Sequence, residues 1–337
     1  MHILVTGGTG YIGSHTVVEL FKNGHEVTIV DNLYNSNIHV LDRIEKITSK
    51  RPKFYEVDIL DKPALRRVFE ENKFDAVIHF AGYKAVGESV MIPLTYYQNN
   101  IAGSLNVYEL MNEFKVNNIV FSSSATVYGD NFEVPFKEEY GLGDTTNPYG
   151  TTKKFNEIIL SDFAKANQDL SVVLLRYFNP IGAHKSGLLG EVPNGIPNNL
   201  VPYIAKVASG ELEYLRVFGD DYPTIDGTGV RDYIHVVDLA KAHVKAIEYA
   251  NLHKGTEVIN VGSGKGYSVL EVLHAYEKAC GKKLAYKILE RRPGDIATCY
   301  ADTKKAKELL DFEVSLDINE MCEDSYNFTI KNPHGID

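Results

Sequence analysis

The sequence predicts an α/β fold: a doubly wound parallel sheet with helices on both faces, joined to a second, smaller α/β lobe. Three observations predict it. The first 13 residues run from an apolar strand through a glycine turn into an amphipathic helix. Near-continuous apolar strands then alternate with helical patterns through the first half of the chain, as strands buried on both faces do. After about residue 180 the pattern gives way to loops rich in Gly, Pro and Asn and to short elements, the composition of loops that line a site.

His2 to Thr6 are β-branched and aliphatic and read as a buried strand. Gly7, Gly8 and Gly10 then make a turn nearly without side chains, and Gly13 stands one turn into YIGSHTVVELFKNG. A strand that ends in such a turn and opens a helix is an anion site. A pyrophosphate approaches the bare backbone, and the first N–H groups and the dipole of the helix point at it. The spacing is G-x-x-G-x-x-G rather than G-x-G-x-x-G, and either pattern also serves as a plain tight connection. A strand before, a helix after and an acid further on select the dinucleotide (Rossmann-type) reading. That acid is Asp31, which ends the run EVTIVD 18 residues past Gly13. Its carboxylate suits the hydroxyls of an adenine ribose and repels a 2′-phosphate. No Arg stands nearby in DNLYNSN, so the expected cofactor is NAD rather than NADP.

Further along, a helical stretch near 38–49 leads to the strand KFYEVD, which ends at Asp58. The helix DKPALRRVFEEN carries Pro63 in its first turn, where a missing N–H costs nothing. The strand DAVIHF and a loop AGYKAVGESVMIP follow, then a helix over about 95–115 and the strand NIVFSSS. A helix from Pro148 and the buried strand SVVLLRYF complete the alternating half. Beyond it we expect a helix near 199–209, a strand in YLRVFG, a Gly/Pro-rich loop to Asp232, a helix near 236–250 and a strand EVINVG that returns to the sheet. The remainder reads as two or three helices and a short strand, and no repeat or low-complexity segment is visible.

A chain of 337 residues with 44% hydrophobic and 24% charged residues has the make-up of a folded soluble protein. Its net charge of −10 and the lack of a basic run argue against nucleic acid as a partner. Cys280, Cys299 and Cys322 are too few and too scattered for a disulfide framework, which suggests a reducing compartment. The first strand leaves no room for a signal peptide and no apolar run spans a bilayer, so the expectation is a cytoplasmic protein without a membrane partner. No H-E-x-x-H or Cys/His cluster is present, so no metal is expected.

Tyr149 and Lys153 in Y-G-T-T-K lie four residues apart, one turn apart on one helix face. A phenol with a pKa near 10 is a poor base at neutral pH, but an ammonium and a cationic cofactor beside it stabilise the phenolate. The pair then removes a proton from a hydroxyl while hydride leaves the same carbon. Alone, Y-x-x-x-K is no more than a helix turn. Here Ser122, Ser123 and Ser124 end the strand before it, where open α/β sheets bind ligands.

Glycine turn, Asp58, strand-end serine and Y-x-x-x-K resemble the extended short-chain dehydrogenase/reductase superfamily. GGTGYIGSH, AGYKAVGESV, FSSSATVYG, LLRYFNPIGAH, GIPNNL, DGTGVRDYIHV and RRPGD, in this order, resemble its UDP-glucose (UDP-galactose) 4-epimerase family over nearly the full chain. The resemblance implies an NAD-binding domain over 1–180, with a return at about 234–262, and a UDP-sugar-binding domain over 181–337. It implies NAD contacts from Gly7, Gly10, Tyr11, Ile12, Gly13, Asp31, Asn32, Asn35, Ser36, Asp58, Ile59, Phe80, Ala81, Gly82, Lys84, Asn99, Ser122 and Tyr177, with Lys153 on the nicotinamide ribose and Phe178 near the nicotinamide. Tyr149 is implied as the base, with Ser124 as its hydroxyl partner. Lys84, Phe178, Asn179, Asn199, Leu200, Phe218, Arg231, Tyr233, Arg292, Asp295 and Cys299 are implied around the UDP-hexose, where forked arginine donors suit a diphosphate.

The implied reaction inverts carbon 4 of the hexose through a transient 4-keto sugar, with the nucleotide anchored and the sugar free to turn. In the family a residue at the place of Cys299 borders the sugar, and a small one leaves room for a 2-acetamido group, so N-acetylated UDP-hexoses are expected substrates as well. A 4,6-dehydratase is the nearest rival, but Ser124 is followed by Ala125 and Thr126 with no carboxylate to expel a hydroxyl. A catalytically silent NAD-binding regulator is the rival from another class. Tyr108, Met111, Ile159 and Phe163 extend the apolar residues of two helices beyond one core face, which with the resemblance suggests a homodimer.

Overall fold

The alternation in the first half of the chain is realised strand by strand. In the computed structural model, which describes residues 1–129, 133–292 and 295–336, it runs β1 (His2–Thr6), α1 (Tyr11–Lys22), β2 (Glu26–Asp31), α2 (Val40–Thr48), β3 (Lys53–Glu56), α3 (Lys62–Glu70) and β4 (Ala76–His79). It continues with α4 (Val86–Met91), α5 (Pro93–Tyr97), α6 (Gly103–Phe114), β5 (Asn118–Ser124), α7 (Pro148–Ala166) and β6 (Ser171–Tyr177). Downstream lie β7 (Asn179–Ile181), α8 (Leu200–Ser209), β8 (Leu215–Phe218), β9 (Val230–His235), α9 (Val236–Leu252) and β10 (Gly255–Val261). The chain closes with β11 (Gly266–Ser268), α10 (Val269–Cys280), β12 (Tyr286–Leu289), β13 (Thr298–Cys299), α11 (Lys304–Leu310) and α12 (Ile318–Lys331).

Seven parallel strands form one sheet in the order β3-β2-β1-β4-β5-β6-β10. The order reverses between β1 and β4, which opens a crevice at the carboxyl ends of those strands. Successive side chains alternate between faces. Ile3, Val5, Ile29, Val120 and Leu175 pack under α1 and α9 on one side. Leu4, Val30, Val77, Ile119 and Leu174 pack under α3, α6 and α7 on the other. Fully burying one such aliphatic side chain contributes about 1.5–3 kcal/mol, so both helix layers are held by the apolar runs that identified the strands. The α3 start is fixed by Asp61, whose carboxylate accepts from Ala64 N at 3.0 Å, with Pro63 in the first turn.

A separate apolar cluster gathers Ile181, Ile204, Leu215, Val217, Tyr233, Leu273, Tyr276, Met321 and Cys322 from α8, α10, α12, β7, β8 and β9. Around it β9 pairs with β7, β11 and β13, and β8 pairs with β12. Ser268–Glu271 and Asp317–Glu320 capping boxes start α10 and α12.

The structure departs from the sequence reading in several places. The stretch read as the loop AGYKAVGESVMIP contains α4, and the loop read from Phe178 onward begins with β7. The final segment holds three short strands rather than one. These strands are two to four residues long, and their partners are distant in sequence, so no alternation marks them. The helix expected over 95–115 is interrupted by a π-turn at Gln98–Ala102. Tyr108 and Met111, read as surplus to the core face, are buried beneath α6, and Ile159 and Phe163 are partly buried against the same cluster. Leu105 of α6 and Phe155 and Ile158 of α7 do face outward, as does Leu94 of α5. Among the described residues no helix is long and apolar enough to cross a membrane. No cluster of three or more His, Cys, Asp or Glu side chains among them is placed for a metal ion.

Candidate active site

The turn after β1 rests on Gly7 and Gly13, which admit no substituent. Gly7 has φ +70°, and a Cβ there would lie 2.8 Å from Ala81 N. A Cβ on Gly13 would lie 2.3 Å from Gly7 O, so the first turn of α1 can press onto the loop only without one. At Gly10 a Cβ would meet nothing closer than Gly7 O at 3.3 Å, which leaves that backbone open to a ligand. No side chain caps α1, and its first N–H groups have no acceptor inside the helix.

Asp31 ends β2 beside this turn. Its carboxylate accepts from Thr9 N at 3.1 Å, Leu33 N at 3.0 Å and Ser36 Oγ at 3.3 Å. Asn32, just past β2, donates to Asp58, just past β3, at 2.9 Å, with Asn35 in the loop between Asn32 and Ser36. Ile59 is buried against Gly103, and Ala81 and Gly82 lie at the end of β4 beside Asn100 and Asn99 of the π-turn. An uncapped helix start, bare glycine backbone and a strand-end carboxylate are the donor and acceptor set that a dinucleotide requires.

The reactive side chains meet at the ends of β5 and β6. Asn147 caps α7 by accepting from Gly150 N at 2.9 Å, and Pro148 opens its first turn. This places Tyr149 and Lys153 on the face turned to the strand ends. Ser124 Oγ accepts from Thr126 N at 3.2 Å and from Thr126 Oγ1 at 2.9 Å, which leaves the serine proton free to point at the Tyr149 phenol. Lys153 donates from Nζ to Ser122 O and lies 5.9 Å from the Tyr149 ring centre. Burial raises the Tyr149 phenol, and the Ser124 hydroxyl and the Lys84 charge oppose this. The Lys84 charge thus joins the Lys153 ammonium expected from the Y-x-x-x-K spacing beside the phenol. Burial pushes Lys153 down to about 7, against the pull of Glu157.

Glu157 lies one turn beyond Lys153 and is the largest element of the site that the sequence reading missed. It holds Arg176 through Nε at 3.0 Å and Nη2 at 2.7 Å and also accepts from Ser123 Oγ. Both side chains are almost fully buried, at 2% and 3% exposure. Y-x-x-x-K-x-x-x-E was the available signal, since positions four apart share a helix face. Asn100 and Asn156 were also missed. Asn100 accepts from Tyr83 N at 2.8 Å and donates to Thr152 Oγ1 at 3.1 Å, tying the π-turn to α7.

On the other side of the crevice Phe178 packs with Tyr128, Phe136 and Cys299. Cys299 pairs in register with Arg231, whose guanidinium reaches Asp295 at 3.5 Å. Arg292 stacks over Phe218 at 4.0 Å. Asn179 of β7 pairs in register with Tyr233 of β9. Asn199, at the start of α8 beside Leu200, donates to Glu191 at 3.5 Å, and Glu191 holds Lys84 at 2.9 Å. The expected residues thus form two groups: Phe178, Cys299, Arg231 and Asp295, joined to Arg292 and Phe218 by the bond from Asp295 N to Arg292 O at 3.2 Å, and Lys84 with Asn199, which the unexpected Glu191 bridges. Pro293 and Gly294 of the RRPGD motif lie outside the described residues. Tyr11 extends over the crevice and donates to Gly182 O at 2.7 Å, while Ile12 faces the core.

The family model for the NAD dependent epimerase/dehydratase family matches residues 3–262. The chain is 57% identical over 335 residues to the UDP-glucose 4-epimerase of Bacillus subtilis (strain 168), covering 99% of this chain and 98% of that one. Its structure superposes with a TM-score of 0.96 and 55% identity on UDP-glucose 4-epimerase from Bifidobacterium longum in complex with NAD+ and UDP, covering 99% and 100% of the two chains. The UDP-Glc/GlcNAc 4-epimerase from Campylobacter jejuni matches with a TM-score of 0.86 and 35% identity over 98% of this chain and 99% of that one.

Proposed function

The chain belongs to the NAD dependent epimerase/dehydratase family, among its UDP-glucose 4-epimerases, and we propose that it interconverts UDP-galactose and UDP-glucose by inverting carbon 4 through a 4-keto sugar. The observation that carries this reading is the meeting of Tyr149, Ser124 and Lys153 at the strand ends, in a chain alike over its whole length to such enzymes. Residues 1–180, with the return through α9 and β10, form the NAD-binding domain, and the rest of 181–337 forms the UDP-sugar-binding domain.

NAD, when bound, supplies a reversible hydride acceptor and a positive ring beside carbon 4 of the sugar. Gly7, Gly10, Tyr11, Ile12 and Gly13 seat its pyrophosphate, Asp31 takes the adenine ribose, and Lys153 takes the nicotinamide ribose. Tyr149 removes the proton of the 4-hydroxyl and returns it after the sugar has turned over. Ser124 donates to the same oxygens and so keeps the proton shared between phenol and sugar. A phenolate on Tyr149 favours the charged form of Lys153 beside it, which restores the ammonium that burial weakens. Arg231 and Arg292 hold the diphosphate, Asn179, Asn199, Leu200 and Tyr233 line its path, and Phe218 stacks on the base. The hexose, gripped less tightly, presents either face.

Dehydration is disfavoured by Thr126, which stands beside Ser124 with a hydroxyl and no carboxyl to expel one. The Tyr149–Ser124 contact argues against a silent regulator. Cys299, half-buried in the Phe178 cluster, supports a further substrate class. A short side chain there leaves room for a 2-acetamido group, so UDP-N-acetylglucosamine and UDP-N-acetylgalactosamine are interconverted too. The partner is a second copy of the chain, across the face that exposes Leu94, Leu105, Phe155 and Ile158. The enzyme works in the cytoplasm, where its free cysteines stay reduced.

One assay tests both substrate assignments. Purified protein without added NAD converts UDP-galactose to UDP-glucose and UDP-N-acetylgalactosamine to UDP-N-acetylglucosamine, while Cys299→Tyr keeps the first activity and loses at least about tenfold of the second. No turnover of UDP-galactose with NAD supplied would defeat the main reading. Equal loss on both sugars in the variant would defeat the role of Cys299.

A further inference from the structure

His243 lies in the middle of α9, outside every motif assigned to the site, and is fully buried. Its Nδ1 faces Leu239 O at 2.8 Å, one helical turn back. A carbonyl can only accept, so Nδ1 carries the proton and Nε2 is a bare acceptor. The group at Nε2 is the Tyr177 hydroxyl, which therefore donates. Burial holds His243 down to about 4, so the ring stays neutral and the acceptor stays open at physiological pH. The phenol is buried too, which pushes it well above its ordinary value, and the Ser122 hydroxyl opposes that rise from its other side.

Tyr177 ends β6 in register with Ser124, and the carbonyl of Ser122 is the one that Lys153 holds. The Phe80 ring lies 4.8 Å from the imidazole. A single side chain on α9 thus touches two groups at the carboxyl ends of β4 and β6 and fixes the direction of a hydrogen-bond chain, Tyr177 to His243 to Leu239. A leucine would fill the same gap under the sheet, but it would strand the Tyr177 proton.

We propose that His243 is a positioning residue for the nicotinamide end of the site: it takes the Tyr177 proton, which turns the phenol's lone pairs toward Ser122, and it braces the Phe80 ring. The inference rests on the assignment of Tyr177, Phe80 and Ser122 to NAD. It extends that assignment to a residue that touches no substrate and acts only through Tyr177 and Phe80.

The test is a cycle of His243→Phe, Tyr177→Phe and the double variant, with His243→Gln as a fourth protein whose amide oxygen can again accept. Each is purified as the holoenzyme. Dinucleotide retained per chain after gel filtration, kcat and KM for UDP-galactose, and thermal midpoint are read. We expect His243→Phe to lower kcat about tenfold and to release NAD during filtration, with KM changed by less than about twofold. The double variant should be no worse than His243→Phe alone, since both lesions break one bond. His243→Gln should recover most of the loss. Losses that multiply in the double variant would overturn the proposal. So would a lowered thermal midpoint with unchanged kcat and NAD retention in His243→Gln and Tyr177→Phe, which marks a merely structural histidine. Wild-type protein that neither retains nor responds to NAD would overturn the proposed function and this inference with it.

Discussion

Tyr149→Phe lowers kcat for UDP-galactose by roughly 10³-fold and leaves the binding of NAD and UDP nearly unchanged. The substitution removes one oxygen from a half-buried ring on the first turn of α7 and leaves the ring itself in place. What disappears is the phenol that Ser124 faces and that the Lys84 charge reaches. Burial raises this phenol, so its service as a base near neutral pH depends on the groups around it, and no neighbour takes over when it is gone. Ser124 has a far higher intrinsic pKa, and Lys153 is engaged with Ser122 O. Steady-state kinetics with calorimetric titration of UDP check the expectation. A variant that keeps more than about a tenth of the rate would show that the proton leaves by another route.

The second large effect is on stability. Arg176→Met leaves Glu157 buried and uncompensated and lowers the unfolding free energy by about 3–5 kcal/mol. Arg176 reaches both Glu157 oxygens from a strand, and its Nη1 also reaches Gly141 O at 3.2 Å. Its guanidinium further lies 4.5 Å from the Tyr128 ring centre. None of these partners can be replaced by water at 2% exposure. Pairing the change with Glu157→Leu removes the stranded charge and recovers much of the loss. That double variant should still be slower than wild type, because Glu157 supports the charge of Lys153 one turn away. Urea unfolding of the three proteins measures this. An unchanged midpoint for Arg176→Met would contradict the account of the buried pair.

The parts of the site written in contiguous residues were legible. The glycine turn announces itself because only glycine tolerates Gly7 at φ +70° and the approach of Gly13 to Gly7 O. Asp31 is visible as the charge that ends an apolar run, and Tyr149 and Lys153 as a helical pair preceded by a capping Asn-Pro. The sheet was legible for the same reason, since strands buried on both faces leave long apolar runs. What stayed hidden depends on partners far away in the chain. Arg176 reads as a flaw in LLRYF until Glu157 is set opposite it. His243 reads as one more polar residue of an amphipathic helix until Tyr177 reaches it. Glu191 sits in a Gly/Pro-rich loop, with no local sign that it bridges Lys84 and Asn199.

The same reason explains the misread surface. Tyr108 and Met111 were counted as excess because helical spacing assigns one buried face, whereas α6 is covered on a second side by α7. The Tyr108 hydroxyl bonds there to Asn156 Oδ1 at 2.7 Å. The π-turn at Gln98–Ala102 shifts the register just before α6, so a wheel drawn through 95–115 mixes two faces.

The central claim is that carbon 4 is inverted by removal and return of its own hydrogen, with Tyr149 handling only the proton on oxygen. UDP-galactose carrying deuterium at carbon 4, converted in ordinary water, tests it most directly. The account predicts UDP-glucose that keeps the deuterium at carbon 4 through many turnovers, read by mass spectrometry and NMR. Exchange of that deuterium for solvent hydrogen in step with turnover would contradict it, because the carbon would then have been deprotonated rather than oxidised.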